Sequence, residues 1–189
     1  RILLDAGTVA GALEVPEQFA IEHALISHAH LDHTVGLAFL AETLACVEAS
    51  RPVTVTSLDP VVDTLRTPVF NNVVWPDFAA LPPSAPVLTY QGMSESREQR
   101  VGDVLVTPVR VDHTVPTAGF IVRDGHTGLV YSGDTGPPVA LWQAARELTG
   151  LAAAVLECSF PNRLEKSAEV AKHMTPQRIQ RELDKLPLD

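Results

Sequence analysis

The chain has 189 residues, 46% of them hydrophobic and 20% charged, a composition typical of a globular domain with a sizeable core. Its formal net charge of −9 argues against a general nucleic-acid-binding protein, which would carry a basic surface. No apolar run reaches the roughly 18 residues that a membrane-spanning helix requires, so no membrane partner is expected. Cys46 and Cys158, the only two cysteines, exclude a disulfide framework or a Cys-rich zinc motif, and we expect both thiols to be buried or half-buried.

The first predicted elements lead to a cluster of histidines. Short apolar runs predict strands at residues 2–4 and 24–27. The spacing of apolar residues and the Ala, Leu and Glu content predict a helix over residues 34–44. Residues 28–33 therefore lie on a loop between the end of a strand and the start of a helix.

The middle of the chain is less regular. Residues 53–55 are β-branched and predict a strand, and residues 59–66 predict a short helix with Asp59 as its N-cap and Pro60 at its first position. Residues 67–92 show no clean period, and we expect an irregular but ordered insertion because its aromatic side chains need a surface to pack on. Residues 93–100 are polar and are expected to be exposed.

The second half returns to strands and adds helices late. Strands are predicted at residues 104–111, 118–122, 128–132 and 152–156, with a hairpin turn at Asp124-Gly125. Helices are predicted at residues 138–148 and 175–186, the second with Thr175 as N-cap and Pro176 at its first position. This order favours a two-sheet α/β sandwich over a doubly wound parallel sheet.

Three histidines and an aspartate fall within the six positions of His28-Ala29-His30-Leu31-Asp32-His33. On a loop, His28 and His30 can share one metal ion, while Asp32 and His33 reach a neighbouring one. Imidazole nitrogen and carboxylate oxygen suit zinc-class or manganese- and iron-class divalent ions. The sequence therefore predicts a metal site here.

Further candidates lie at the ends of later strands. His113 follows one strand, and His173 precedes the Thr175 cap. Asp134 is flanked by small residues that allow close backbone approach, so it either bridges two ions or is an ordinary turn residue.

The order His-x-His-x-Asp-His, then His113, Asp134 and His173, resembles the metallo-β-lactamase superfamily. Within it, several blocks resemble the class II 3′,5′-cyclic-nucleotide phosphodiesterases. These are the cluster with Gly36-Leu37, Phe-Asn-Asn-Val-Val-Trp-Pro-Asp-Phe at 70–78, Ser-Gly-Asp-Thr-Gly-Pro at 132–137, Glu-Cys-Ser-Phe-Pro-Asn at 157–162 and His-Met-Thr-Pro at 173–176. The resemblance runs from about residue 4 to about residue 176, and the 70–78 and 157–162 blocks narrow it to this family.

The resemblance implies a single domain over residues 1–189, an αββα sandwich of two mixed sheets flanked by helices, truncated at both ends, with a family-type insertion at about 67–92. It implies two divalent ions, zinc first, with manganese or iron as alternatives. His28, His30 and His113 would hold the first ion, Asp32 and His33 the second, and Asp134 would bridge them. In the family a further ligand histidine follows the last helix, so the second ion is expected to be one histidine short within this chain.

The implied activity is hydrolysis of 3′,5′-cyclic AMP, with cyclic GMP as a second substrate, to the 5′-nucleotide by a hydroxide that bridges the metals. Asp32 and His173 would be catalytic, His173 by stabilising phosphorane charge or protonating the leaving oxygen. Asp5 and Glu157 would orient ligand histidines, or be ordinary strand-end carboxylates. Asn71, Asn72, Trp75 and Phe78 would contact the substrate, although core packing is an equal alternative for the two aromatic residues.

The expected partner is a small molecule, with a homodimer left open as an assembly and a cytoplasmic location favoured over a periplasmic one. Two alternatives stay open: another hydrolase on the same scaffold, such as a tRNA-processing nuclease or a lactonase, and a non-catalytic, metal-stabilised nucleotide-binding module. A β-lactamase is disfavoured, because Asp134 stands where that reading would need a cysteine ligand.

Overall fold

The structure is a computed structural model that describes residues 1–47, 51–125, 127–148 and 150–185. The chain forms two units, Arg1–Met93 and Ser94–Asp189, with one sheet in each. Among the described residues, no helix combines the length and the apolar character that crossing a membrane requires.

The N-terminal unit is built on a parallel sheet in the order β1-β2-β3-β4. Its strands are β1 (Ile2–Leu4), β2 (His23–Leu25), β3 (Val53–Leu58) and β4 (Leu88–Met93). Its helices are α1 (Val9–Ala12), α2 (Val15–Gln18), α3 (Leu31–Cys46) and α4 (Asp59–Thr64), which runs into a π-helical turn, Leu65–Val69. Because neighbouring strands are parallel, the residues that follow β1 and β2 emerge at the same edge of the sheet.

The C-terminal unit carries a mixed sheet in the order β5-β6-β7-β8-β9, in which only the β8–β9 pairing is parallel. Its strands are β5 (Gln99–Val101), β6 (Val104–Arg110), β7 (Ala118–Asp124), β8 (Thr127–Tyr131) and β9 (Leu151–Val155). Its helices are α5 (Val139–Ala145), α6 (Glu165–Ala171), which follows a 3₁₀ turn at Asn162–Leu164, and α7 (Pro176–Leu183).

Each unit buries its own apolar residues. In the C-terminal unit, α5 packs Leu141 and Trp142 onto Val109, Ile121 and Val130 of the sheet. The indole Nε1 of Trp142 donates a hydrogen bond to the buried carboxylate of Glu182 at 2.8 Å, which ties α5 to α7. Buried indole N–H groups usually have such a partner, and this bond helps to position α7 on its unit.

Many of the predicted elements are confirmed. These are the strands at 2–4, 24–27, 53–55, 104–111, 118–122, 128–132 and 152–156, the Asp124-Gly125 hairpin, and the helices that became α3, α5 and α7. Thr175 does cap α7, since its side chain accepts a hydrogen bond from the backbone N–H of Arg178. The predicted end of α7 at residue 186 lies outside the described residues.

Several predictions were wrong in detail. Helix α3 begins at Leu31, so Asp32 and His33 lie in its first turn and not on the loop. Asp59 is the first residue of α4, and Leu58 occupies the cap position. The four-residue helices α1 and α2 and the seven-residue α6 were not predicted. The sheet of the N-terminal unit is parallel in every described pairing, whereas a mixed sheet was expected.

The insertion at 67–92 is shorter than predicted, because its last residues form β4 against β3. Met93, expected to be exposed, ends this strand and is buried. The segment packs its aromatic residues as expected: the rings of Phe70 and Tyr90 lie 6.5 Å apart, and the Arg66 guanidinium lies 5.8 Å from the Tyr90 ring centre. Burial raises the pKa of the Tyr90 hydroxyl above its usual range.

The cysteine prediction was also wrong, since Cys46 and Cys158 are both exposed. Cys46 is the last residue of α3, and Cys158 lies in the segment after β9, a strand at the end of its sheet. Neither position faces the core of its unit.

Candidate metal centre

A compact group of histidines follows β2 in the N-terminal unit. His28 Nε2 and His30 Nδ1 lie 3.0 Å apart, and the His28 and His33 ring centres are separated by 4.3 Å. Two nitrogen ligands of one tetrahedral zinc ion lie about 3.3 Å apart, given bond lengths of 2.0–2.1 Å. Asp32, in the first turn of α3, has Oδ2 3.6 Å from His33 Nε2. This unit therefore contains a His/Asp cluster able to bind a divalent metal ion.

A buried carboxylate orients two of these rings. Asp5 follows β1 with φ at +54°, and its Oδ1 accepts from the Ser27 backbone N–H at 2.6 Å. Its Oδ2 accepts from His33 Nδ1 at 2.6 Å and from the Ser27 hydroxyl at 2.7 Å. Because a carboxylate only accepts hydrogen bonds, a proton of His33 lies on Nδ1, and in the neutral ring Nε2 carries the lone pair.

The Ser27 hydroxyl extends this effect to His28. Its oxygen lies 3.0 Å from His28 Nδ1, and since its own proton is donated to Asp5, it accepts the proton of Nδ1. His28 Nε2 is therefore the lone-pair nitrogen, the one that faces His30. Ser27 and His28 are fully buried, so both bonds are shielded from water.

Two glycines allow the backbone to close around this cluster. A Cβ on Gly7 would lie 1.9 Å from the carbonyl oxygen of Asp32, and one on Gly36 would lie 2.4 Å from that of Ala6. The Ala6 backbone N–H donates to the His33 carbonyl at 2.7 Å. The segment after β1 thus packs directly against the first turns of α3, which brings Asp5 to His33.

The C-terminal unit gathers the remaining predicted residues at the ends of its strands. His113 follows β6, Asp134 follows β8, Glu157 follows β9 and His173 lies between α6 and α7. His113 and Asp134 are 7% exposed, and they offer ligand atoms within 4.8 Å of one another. The His113 and His173 ring centres are 5.0 Å apart. The Nδ1–H of His113 donates to the Lys172 carbonyl at 3.3 Å, which leaves its Nε2 as the lone-pair nitrogen.

Glu157 organises three segments of this unit. Its Oε1 accepts from His173 Nδ1 at 3.0 Å and from the backbone N–H groups of Met174 and Thr135 at 2.9 and 3.3 Å. Its Oε2 accepts from the backbone N–H and the hydroxyl of Ser159, both at 2.9 Å. The contact is with His173 and not with a predicted ligand histidine, so Glu157 holds the ring that was predicted to be catalytic.

The four predicted substrate-binding residues are placed differently. Asn71 Oδ1 accepts from the N–H groups of Val73 and Val74, and Asn72 Oδ1 accepts from that of Asp77. Both amides are therefore used to shape their own loop. Phe78 is 7% exposed and packs in the core, which is the alternative that the sequence left open. Trp75 is half-buried, and its ring lies 5.7 Å from that of Phe39.

Sequence reasoning missed Ser27, Lys172 and Phe39. Ser27 directly precedes the histidine cluster, but its bond to Asp5 spans 22 residues. Lys172 precedes His173, and its contacts with Asp112 and His113 span 60 and 59 residues. No local pattern signals such pairings, whereas Phe39 could have been identified as an apolar residue on the outer face of α3.

Comparison with known proteins gives a consistent result. The chain is 28% identical over 186 residues to a probable 3′,5′-cyclic-nucleotide phosphodiesterase of Yersinia pestis, covering 88% of this chain and 51% of that protein. It is 27% identical over 173 residues to a 3′,5′-cyclic-nucleotide phosphodiesterase of Schizosaccharomyces pombe, covering 81% of this chain and 48% of that protein. The chain thus spans about half the length of these relatives.

Among solved structures, unliganded yeast PDE1 superposes with a TM-score of 0.77 at 25% identity, covering 88% of this chain and 52% of the yeast chain. This match confirms the predicted α/β fold class, and the relatives confirm the resemblance to cyclic-nucleotide phosphodiesterases that the motifs indicated. The profile of a family described as "Beta-lactamase superfamily domain" matches residues 1–188. The chain therefore belongs to the beta-lactamase superfamily domain family.

Proposed function

We propose that this chain is the hydrolytic domain of a metal-dependent phosphodiesterase that opens 3′,5′-cyclic nucleotides, cyclic AMP first and cyclic GMP second, to 5′-nucleotides. The observation that carries the proposal is the buried Asp5–Ser27–His28 and Asp5–His33 network, which presents lone-pair nitrogens for a metal. The names of the Yersinia pestis and Schizosaccharomyces pombe relatives support the choice of substrate.

We propose two divalent ions, zinc before manganese or iron. In this proposal His28, His30 and His113 would hold the first ion, Asp32 and His33 would hold the second, and Asp134 would contribute a carboxylate to both. The donor set fits this assignment. In a metal-bound histidine, the N–H of the ring nitrogen that does not bind the metal characteristically donates a hydrogen bond to an oxygen acceptor such as a carboxylate or a carbonyl. His28, His33 and His113 each do so, to Ser27, Asp5 and Lys172.

When bound, such ions supply Lewis-acid polarisation of the phosphoryl group and lower the pKa of water to near neutrality. Asp32, whose side chain is 74% exposed at the start of α3, would accept a hydrogen bond from the attacking water and align it. The water oxygen bonds to phosphorus and the bond from phosphorus to the 3′ oxygen breaks. The products are a 5′-monophosphate and a 3′-hydroxyl.

The proposed proton donor to the 3′ oxygen is His173. Its Nδ1–H is held by Glu157, so Nε2 is the ring nitrogen that can carry and release the second proton. A carboxylate on the far nitrogen stabilises the imidazolium and fixes the plane of the ring. The His173 side chain is 17% exposed, which leaves one side of the ring accessible to a substrate.

The test is the His30→Ala variant of the purified chain with added zinc. We expect the unmodified protein to hydrolyse 3′,5′-cyclic AMP and the variant to lose at least a hundredfold in kcat/KM, because a ligand nitrogen of the proposed first ion is gone. His23→Ala is the matched control, since His23 lies in β2 outside the proposed ligand set and its Nδ1 has no hydrogen-bond partner among the described residues.

Three other results would contradict the proposal. Full activity in His30→Ala would remove the metal assignment. Turnover of a tRNA precursor or a lactone, but not of the cyclic nucleotide, would identify a different hydrolase on the same scaffold. Stoichiometric binding of zinc and of cyclic AMP without any product would indicate a binding module.

A further inference from the structure

We propose that Lys172 is a positioning residue that fixes His113 and His173 relative to one another, through its carbonyl on one side and its ammonium on the other. The inference rests on the proposed function, because it takes His113 as a metal ligand and His173 as the proton donor. All of the contacts that carry it lie within the C-terminal unit.

The backbone of Lys172 gives the first observation. Helix α6 ends at Ala171, and Lys172 is its C-cap in a left-handed conformation, with φ 58° and ψ 53°. This conformation favours glycine, because any Cβ crowds the neighbouring carbonyl. It turns the chain back so that the His173 N–H donates to the Ala168 carbonyl at 2.8 Å, while the Lys172 carbonyl accepts from His113 Nδ1 at 3.3 Å.

The side chain gives the second observation. The Lys172 ammonium donates to Asp112 Oδ1 at 2.7 Å and to the His113 carbonyl at 3.4 Å. Lys172 therefore binds the Asp112-His113 segment at three points: a carboxylate, a carbonyl and a ring nitrogen. The next residue along the chain is His173, whose ring lies 5.0 Å from that of His113.

The backbone conformation and the side-chain contacts favour different residue types at position 172. Glycine would suit the backbone best, but it would lose the ammonium that ties the loop to Asp112. The ion pair itself contributes little to stability, because the side chains of Lys172 and Asp112 are 40% and 62% exposed. A lysine at a position that favours glycine is therefore better explained by the geometry it imposes on His113 than by the stability of the fold.

The expected consequence is a fixed tautomer of His113. While the Lys172 carbonyl holds the Nδ1 proton, Nε2 presents its lone pair to a metal. If the loop moves away, the neutral ring can exchange between its two tautomers, and the fraction ready to bind a metal falls. The same movement would displace His173, because it is the next residue along the chain after Lys172.

The experiment compares Lys172→Met, Lys172→Gly and Lys172→Arg with the control Lys166→Met, an exposed lysine on α6. The first readout is the ¹⁵N spectrum of the histidine rings in metal-free protein, with His113 assigned through His113→Gln. The second is zinc affinity, measured by competition with a chromophoric chelator. The third is the thermal midpoint.

We expect Lys172→Met to shift the His113 signals from a pure Nδ1–H pattern toward a mixture of tautomers, and to weaken zinc binding about tenfold, as loss of outer-sphere partners does. Lys172→Gly should show the same loss with an unchanged or higher thermal midpoint, since it relieves the backbone. Lys172→Arg, which keeps a cation, should recover most of the affinity, and Lys166→Met should match the unmodified protein.

A Lys172→Met protein with unmodified His113 signals and zinc affinity would overturn the inference, even if cyclic-nucleotide hydrolysis is confirmed. The converse is equally distinct. If the unmodified chain does not hydrolyse cyclic nucleotides but Lys172→Met shows both changes, the proposed substrate fails and the positioning role of Lys172 stands.

Discussion

At the scale of single residues, one carboxylate orients two histidines of the proposed metal centre. Asp5 reaches His33 directly and reaches His28 through the hydroxyl of Ser27. Removing the Ser27 hydroxyl would break its hydrogen bond to His28 and leave the Asp5–His33 hydrogen bond intact. It therefore offers a way to disturb one ligand while the rest of the cluster is preserved.

We expect Ser27→Ala to weaken zinc binding about tenfold, the lower end of the range for outer-sphere partners of metal ligands. The reason is that His28 Nδ1 loses its acceptor, so the Nε2–H tautomer, which cannot bind a metal through Nε2, becomes populated. A chelator competition titration measures the change, and Ser27→Thr, which restores the hydroxyl, serves as the control. Equal affinities for the alanine variant and the unmodified protein would show that the hydroxyl does not orient His28.

The sequence could predict the site residues that are adjacent in the chain, and it could not predict their partners. Close spacing within six positions was enough to identify His28, His30, Asp32 and His33. Most of the supporting bonds, such as Asp5–Ser27, Glu157–His173 and Lys172–Asp112, join residues 16 to 60 positions apart, and they depend on which strand ends meet at a sheet edge. The sequence also left open or mispredicted which side chains are buried. Phe78 lies in the core, whereas both cysteines are exposed.

At the scale of elements, the N-terminal end of α3 is fixed by backbone-to-backbone contact. A Cβ on Gly36 would lie 2.4, 3.0 and 3.2 Å from backbone atoms of Ala6, Val9 and Gly7. Backbone atoms cannot rotate away as a side chain can. Helix α3 therefore depends on glycine where its own propensity would favour alanine.

We expect Gly36→Ala to destabilise the protein by about 1–3 kcal/mol, the usual cost of overpacking. The gain in helix propensity is about 1 kcal/mol. Steric crowding should prevail because the crowded atoms are backbone atoms, which places the overpacking cost at the upper end of its range. Gly11→Ala in α1 is the matched control, because a Cβ there meets nothing within 4 Å, and it should be neutral or stabilising. Denaturant unfolding measures both, and equal stabilities would mean that the segment after β1 can move to accommodate the methyl group.

Element prediction from the sequence worked where the hydrophobic pattern was long or continuous. Strands β6, β7 and β8 and helix α3 are of this kind. Strand β4 follows a proline-rich segment, and only its first and last residues, Leu88 and Met93, are buried, so it gave no alternating hydrophobic pattern. Helices α1 and α2 are one turn each, too short to show a 3.6-residue period.

At the scale of the whole molecule, a net charge of −9 favours binding of cations, and the proposed metal centre predicts that stability depends on bound divalent ions. Removing zinc with a chelator should lower the midpoint of thermal unfolding, because a ligand that binds only the native state stabilises it by about 4 kcal/mol at a thousand times its Kd. Differential scanning calorimetry with and without chelator measures this shift. An unchanged midpoint would mean that the native protein holds no tightly bound ion, and His30→Ala, already lacking a ligand, should shift less.

The bond between Trp142 and Glu182 also makes the protein convenient to observe. The chain has two tryptophans, Trp75 in the N-terminal unit and Trp142 in the C-terminal unit, so each unit carries its own intrinsic fluorophore. Trp142 is 2% exposed, whereas Trp75 is half-buried, so Trp142 should emit at the shorter wavelength because its ring is better shielded from water. In a Trp75→Phe variant, the emission wavelength of Trp142 should report whether α7 packs against its unit. The segment that carries His173 directly precedes α7, so the same signal should report on that segment.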